Sequence, residues 1–291
     1  MKTILLNIIL KFFPHILDSY DDNKLRKIYR VIQKINNLIK YRTFDIFTGI
    51  SIETSTYCNR RCIYCPNHNN PTPKLYADEK IIYKFIDDLS KMKYAGWIGW
   101  NFYNEPLLDE RLINFIKLSK EKIKGVTNIL LTNGDFLTLE NSIEYKQNGI
   151  DMFIVTIHDK NPNNAYKKLS AIKEKIGNSF IIKTLTEKEL GTRAGSVEVK
   201  REYMSFKYCD VFINPIIDKD GNMLVCCNDY FRELKVGNII ENNIIQIWND
   251  KNYKNLRKKL RYNLTESVKN KTIPDICIKC YYSMNNIKNC D

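Results

Sequence analysis

Three features of the sequence predict an α/β fold: an incomplete barrel of five or six parallel β/α units, preceded by a helical extension and followed by a small cysteine-bearing domain. Short apolar runs alternate with amphipathic ones from residue 46 to about residue 190, the habit of parallel β/α units. Polar clusters close four successive apolar runs. The nine cysteines of the 291-residue chain fall mostly into two groups, three within eight residues and four beyond residue 200. The boundaries drawn on these grounds are 1–45 for the extension, 46–205 for the partial barrel and 206–291 for the appended domain.

The extension begins with Lys2 and the apolar residues Ile4, Leu5, Leu6, Ile8, Ile9 and Leu10, then Phe12 and Phe13. That run is too short to span a bilayer. Asn7 and Lys11 interrupt it, and no small-residue cleavage site precedes Pro14, so it is not read as a secretion signal. From Asp22 to Lys40, Leu25, Ile28, Ile32, Ile35 and Ile39 recur three and four apart as one helical stripe, with Lys24, Arg26, Lys27, Arg30, Lys34 and Lys40 around it. Such a helix caps a domain, seats a partner helix or lies on a membrane surface, and peripheral membrane contact is kept as an expectation.

The predicted strands are Phe47 to Thr54, Trp97 to Tyr103, Val126 to Thr132, Met152 to His158 and Phe180 to Leu185. Helical patterns lie between them at about Asp78 to Lys93, Leu107 to Lys122, Thr138 to Asn148 and Asn163 to Ile176. In parallel β/α folds the residues that act on ligands gather at strand carboxyl ends. The four polar clusters sit at such ends: the cysteine loop, Tyr103-Asn104-Glu105-Pro106, Thr132-Asn133-Gly134-Asp135 and Thr156-Ile157-His158-Asp159. Any one of them alone would be an ordinary turn. Four in succession converge on one cleft.

Hydrophobic content of 44% and aromatic content of 12% exclude a disordered chain. Nine cysteines in a chain of this size argue for metal ligation in a reducing compartment rather than a disulfide scaffold. The net charge of +13 suits an anionic partner, yet no nucleic-acid recognition motif accompanies it, and no nucleic-acid partner is expected.

The first strand runs into Cys58-Asn-Arg-Arg-Cys62-Ile-Tyr-Cys65. A closed zinc site or a ferredoxin-type cluster takes four protein ligands, so three cysteines leave one iron of a cluster open to another molecule. This C-x3-C-x2-C loop with Tyr64 before its last cysteine resembles the signature of the radical S-adenosylmethionine (SAM) enzymes, built on a TIM-like partial barrel. The resemblance implies that Cys58, Cys62 and Cys65 hold a 4Fe-4S cluster whose open iron chelates SAM. It places Asn104-Glu105-Pro106 at the family's Gly-Glu-Pro motif, with Glu105 facing the SAM ammonium group and Asn104 departing from the usual glycine. It puts Thr132 and Asn133 near the ribose, Tyr64 near the adenine through its backbone, and Thr156 among the cofactor contacts.

Beyond residue 200 a hairpin is predicted over Val211 to Ile217 and Asn222 to Cys227, then a helix from Asn243 to Tyr262. Cys209, Cys226, Cys277 and Cys280 fit either an all-cysteine zinc site or a 4Fe-4S cluster. Cys209-x11-Gly221-x4-Cys226 followed by Cys277-x2-Cys280 resembles the auxiliary-cluster domain of radical SAM enzymes in its short twitch form, a relative of the SPASM domain. Position 286 is Asn, where the longer form would continue its cysteines. Cys227 is expected to pack inside the hairpin and Cys290 to be a tail thiol.

The strand-end motifs, the loop Leu190-Gly191-Thr192-Arg193-Ala194-Gly195-Ser196-Val197 and the single auxiliary set together resemble the alcohol-oxidising branch of the twitch enzymes, over about residues 48–285. That resemblance implies SAM and two 4Fe-4S clusters as cofactors, and oxidation of a secondary alcohol of a sugar, aminocyclitol or other polyol to a ketone. The auxiliary cluster would accept one electron. Arg193 would orient the alcohol, with His158 and Tyr103 as further substrate contacts. A flavodoxin or ferredoxin would supply electrons, in the cytoplasm. Three alternatives stay open: a peptide-modifying maturase, a sugar epimerase in which Cys227 or Cys290 returns a hydrogen atom, and a non-enzymatic zinc-binding interaction module.

Overall fold

The computed structural model describes residues 35, 37–39, 41, 43, 45–185, 190–198, 208–209 and 214–285. The helical extension lies almost wholly outside the described residues, as does Cys290. Strands β1 (Gly49–Ile52), β2 (Trp97–Gly99), β3 (Thr127–Thr132), β4 (Met152–Ile157) and β5 (Phe180–Thr184) pair in parallel in chain order. Helices α1 (Glu79–Lys91), α2 (Leu112–Lys122), α3 (Leu139–Gln147) and α4 (Asn163–Ile176) form the crossovers. On the far side of β1 the sheet continues through β6 (Ile216–Ile217), β7 (Asn222–Leu224) and β8 (Lys235–Asn238), in the order β5-β4-β3-β2-β1-β6-β7-β8.

The predicted barrel and appended domain thus share one continuous sheet. β6 lies parallel to β1, with Ser51 opposite Ile216 and Ile52 opposite Ile217, and the β6–β7–β8 meander extends the same sheet. Apolar alternation predicts that a strand exists. It does not say which edge the strand joins.

The core residues follow from the pattern. Ile50, Ile52, Ile98, Leu130, Phe153, Val155 and Phe180 are buried on the sheet against Phe85, Ile86, Leu89, Phe115 and Ile116. Gly49 is required by packing, since a Cβ there would lie 1.9 Å from the Trp97 ring. Helix starts carry side-chain caps: Asp78 accepts from the Lys80 N–H, and Thr138 forms a reciprocal box with Asn141. No described helix is long and apolar enough to cross a membrane.

Two predicted helices are divided. The stretch from Leu107 becomes a 3₁₀ turn, Pro106–Leu108, and α2 begins only at Leu112, because buried Asp109 takes the Arg111 N–H and guanidinium. The stretch from Asn243 to Tyr262 splits into α5 (Ile244–Asn249) and α6 (Lys251–Tyr262), because Asp250 is extended and caps the second helix through the Asn252 and Tyr253 N–H groups. Helices α7 (Leu264–Lys269) and α8 (Asp275–Asn285) complete the carboxyl-terminal layer. Between this layer and the barrel, Arg232 reaches Glu53, one residue past β1, with both carboxylate oxygens at 2.9 Å; Glu53 is 1% exposed.

Candidate active site

The cysteine loop leaves β1 and is fastened to three other strand ends. Tyr57 O accepts from the Glu105 N–H beyond β2 at 2.9 Å. Asn59 donates to Asp135 at 2.6 Å and accepts from Asn133 Nδ2 at 2.8 Å, both residues lying beyond β3. Arg60 forks onto Asp135 and onto Asp159 beyond β4, at 3.0 Å for the latter. Within the loop the Cys65 N–H donates to Cys62 O at 2.9 Å, and the Arg60 N–H points at Cys58 Sγ at 3.4 Å. Burial pushes the Cys58 thiol up, with Glu105 and the other two thiols adding to it; burial likewise raises Cys65. Ligation by iron would strip these protons outright.

The residues expected to contact SAM form one network. Glu105, 2% exposed, accepts from Thr132 Oγ1 at 2.6 Å, from the Asn133 N–H at 2.8 Å and from the Leu107 N–H at 3.2 Å. Desolvation nonetheless raises its carboxyl above the usual range. Asn104 is buried, accepting from the Phe102 N–H at 2.8 Å, so its side chain fixes the turn that a glycine makes without help. Gly134 turns the chain after β3 at φ +79°, where a Cβ would meet Val155 at 2.6 Å. Tyr64 meets His158 through its hydroxyl at 2.5 Å and by ring stacking. Burial and the nearby Arg60 hold that imidazole below its ordinary range. Thr156 lies half-buried near the end of β4.

The second cysteine set surrounds a cavity. Cys209, Cys226, Cys277 and Cys280 line it together with Ala194, Val225, Leu260 and Leu264. None of the four is paired in a disulfide. Burial holds Cys277 up at about 12. Among the described residues no three His, Cys, Asp or Glu side chains are gathered tightly enough to clasp a single metal ion. Four thiols around one apolar hollow fit a larger sulfur-bridged group.

Arg193 lies between the two sets. Residues 193, 194 and 195 are all left-handed, at φ 49°, 56° and 82°, and Thr192 ties the loop to α8 through Ser283 at 2.8 Å. Its guanidinium is 6.0 Å from the Tyr103 ring and 3.4 Å from Asn228 Oδ1, while its buried Nε has no partner. The charge of Arg193 opposes the upward push of burial on Cys65 on one side and, after the hydrogen bond with Cys226, helps to lower the Cys227 thiol on the other. Tyr103 spends its hydroxyl on Cys227 O at 2.9 Å and packs edge-on to Tyr230, so it offers the cleft its ring rather than a proton.

Cys227 corrects the expectation of a packed hairpin thiol. β7 ends at Leu224, so Cys227 falls in the following turn and is exposed, with its thiol lowered to about 7 by Cys226 and Arg193. Arg60 escaped the sequence reading because its partners lie 75 and 99 residues away.

Strand ends converging on a three-thiol loop, with a four-thiol hollow on the same sheet, define a radical SAM enzyme with an auxiliary iron-sulfur domain. Residues 209–281 match the SPASM iron-sulfur cluster-binding domain. The chain is 31% identical over 242 residues to the S-adenosyl-L-methionine-dependent 2-deoxy-scyllo-inosamine dehydrogenase of Niallia circulans, covering 81% of this chain and 93% of that one. It is similar to the crystal structure of BtrN in complex with AdoMet and 2-DOIA, with a TM-score of 0.69, 29% identity and coverage of 80% and 92%. Similarity to BtrN in an open conformation is lower, with a TM-score of 0.59, 28% identity and coverage of 74% and 86%. The chain belongs to the family of these SAM-dependent dehydrogenases, is an oxidoreductase, and has SAM and 4Fe-4S clusters, one of them auxiliary, as its cofactors.

Proposed function

We propose that this chain oxidises a secondary alcohol of an aminocyclitol, sugar or related polyol to a ketone, in the cleft between the two cysteine sets. The single observation that supports this is Arg193, whose buried Nε is an unanswered donor between them. A buried donor left without a partner costs about 1–3 kcal/mol, and a substrate oxygen would supply what the protein does not.

In this reading Cys58, Cys62 and Cys65 would hold the SAM-binding cluster, and Cys209, Cys226, Cys277 and Cys280 the auxiliary one. When bound, SAM supplies a deoxyadenosyl radical that removes the hydrogen atom from the alcohol carbon, and the auxiliary cluster supplies a sink for the electron that follows. Arg193 stays protonated, so it donates to the alcohol oxygen and steadies the negative charge that grows there as the hydroxyl proton leaves. The Tyr103 ring walls the cleft, and neutral His158 holds Tyr64 and with it the loop. A flavodoxin or ferredoxin would deliver the initiating electron. Clusters of this kind are oxygen-sensitive, which suits the cytoplasm.

Cys227 favours a second reading, epimerisation, because an exposed thiol within the field of Arg193 could return a hydrogen atom. Incubating anaerobically reconstituted enzyme with SAM, dithionite and polyols deuterated at the reacting carbon separates the two. Deuterium in deoxyadenosine with a carbonyl product is the expected result. A product alcohol that has gained solvent hydrogen at that carbon would replace dehydrogenation by epimerisation.

A further inference from the structure

The auxiliary hollow is covered on one side by α6, whose sequence Lys-Asn-Tyr-Lys-Asn-Leu-Arg-Lys-Lys-Leu-Arg-Tyr carries six basic residues and no acidic one. Its inner face serves the hollow: Leu260 lines the cavity, and Leu260 O accepts from the Cys209 N–H at 3.0 Å. Arg257 is buried, paired with Asp45 at 2.7 Å. The outer face does something else. Lys251 and Lys258 are exposed, Lys254 is partly so, and among the described residues no carboxylate pairs with any of the three. At the far end Tyr262 is 72% exposed.

Like charges three and four apart weaken a helix. Lys251, Lys254 and Lys258 therefore stand in an arrangement that local stability does not favour. An exposed aromatic beside a block of one sign is the composition of a protein-docking patch with electrostatic steering. An α-helix with its side chains is about 10–12 Å across, so a partner seated outside α6 is one helix diameter from the hollow.

We infer that the outer face of α6 is the docking surface for an acidic one-electron carrier of the flavodoxin or ferredoxin class. The inference rests on the proposed alcohol oxidation and deepens it. One electron enters to cleave SAM, and one leaves the substrate with the hydroxyl proton. SAM and alcohol thus become methionine, deoxyadenosine, ketone and one proton with no net electron consumed. A carrier that gives an electron and takes one back closes this balance, and α6 is where it takes the electron back.

The test uses the holoenzyme, purified flavodoxin, and the variant Lys251→Glu/Lys254→Glu/Lys258→Glu. Flavodoxin affinity should fall on the order of a hundredfold at low ionic strength and by much less at high salt, while SAM cleavage driven by dithionite is unchanged. The Lys→Gln version of the same variant should show a smaller loss, and it decides the matter if the glutamate version loses iron. Unchanged flavodoxin affinity in both variants would overturn the inference. So would loss of binding to phosphatidylserine vesicles or duplex RNA with flavodoxin binding intact, which would assign the face to lipid or nucleic acid. If the wild type cleaves no SAM with dithionite but its flavodoxin affinity still depends on these lysines, the catalytic reading fails and the docking surface stands.

Discussion

The two cysteine sets are built in opposite ways. Cys58, Cys62 and Cys65 lie within one short loop whose position is set from outside by charged and polar fasteners, Arg60 to Asp135 and Asp159 and Asn59 to Asp135 and Asn133. Cys209, Cys226, Cys277 and Cys280 arrive from distant parts of the chain and meet around an apolar hollow. A loop held from its rim leaves its face open to a cofactor and a substrate. A hollow closed by leucine and valine excludes both, which suits a group that only passes electrons. In the proposed assignment, the centre that meets substrate and the centre that passes electrons share one sheet and differ in how their thiols are held.

The comparison is broken most severely by removing thiols. Replacing Cys58, Cys62 and Cys65 together with Ala should abolish SAM cleavage and remove about four irons per chain. Cys277→Ala should keep SAM cleavage but lose the ketone. Equal loss of SAM cleavage in both would erase the division of labour, as read by iron analysis and deoxyadenosine assay.

Next in size is the joint between the two halves. Arg232→Ala leaves Glu53 buried and unpaired and should cost about 3–5 kcal/mol in urea unfolding. The double change Glu53→Gln/Arg232→Met should cost clearly less, and a cost as large as that of the single change would mean that pairing is not what the joint supplies.

A smaller effect is expected at the loop's fastener. Arg60→Ala should raise the KM for SAM by roughly tenfold, about 1.4 kcal/mol, with iron content intact, and an unchanged KM would show that the fork does not position the loop.

The smallest concerns pH. Burial and Arg60 depress His158, so the folded chain binds fewer protons at this site than the unfolded one. Its contribution is present above the unfolded value of about 6.5 and is lost as pH falls below it. Between about pH 8 and pH 5, Tm should therefore fall further for wild type than for His158→Asn. Parallel curves would remove His158 from the account.

Much of this was legible in the residues. Period-two and helical apolar patterns gave the strands and crossovers, and the spacing of the early cysteines singled out their loop, because both signals are local. What was missed is long-range. Arg60 looks like any exposed arginine until Asp135 and Asp159 are folded against it. Tyr103 was expected as a substrate contact, and the bond that occupies its hydroxyl, to Cys227 O, spans 124 residues. Asp250 was read through as helix, although an aspartate before Lys251 is an N-cap signal that could have divided α5 from α6.

The pairing of β6 with β1 has a consequence for how the molecule can be dissected. Ser51 and Glu53 give their N–H groups to Pro215 O and Ile217 O, at 3.0 and 2.8 Å. Cutting the chain ahead of β6 would lay bare the Ser51 and Glu53 N–H groups along the edge of β1, close in sequence to the signature loop. Such an edge invites other chains to zip onto it, so an isolated amino-terminal half is expected to precipitate rather than serve as a minimal SAM-cleaving fragment.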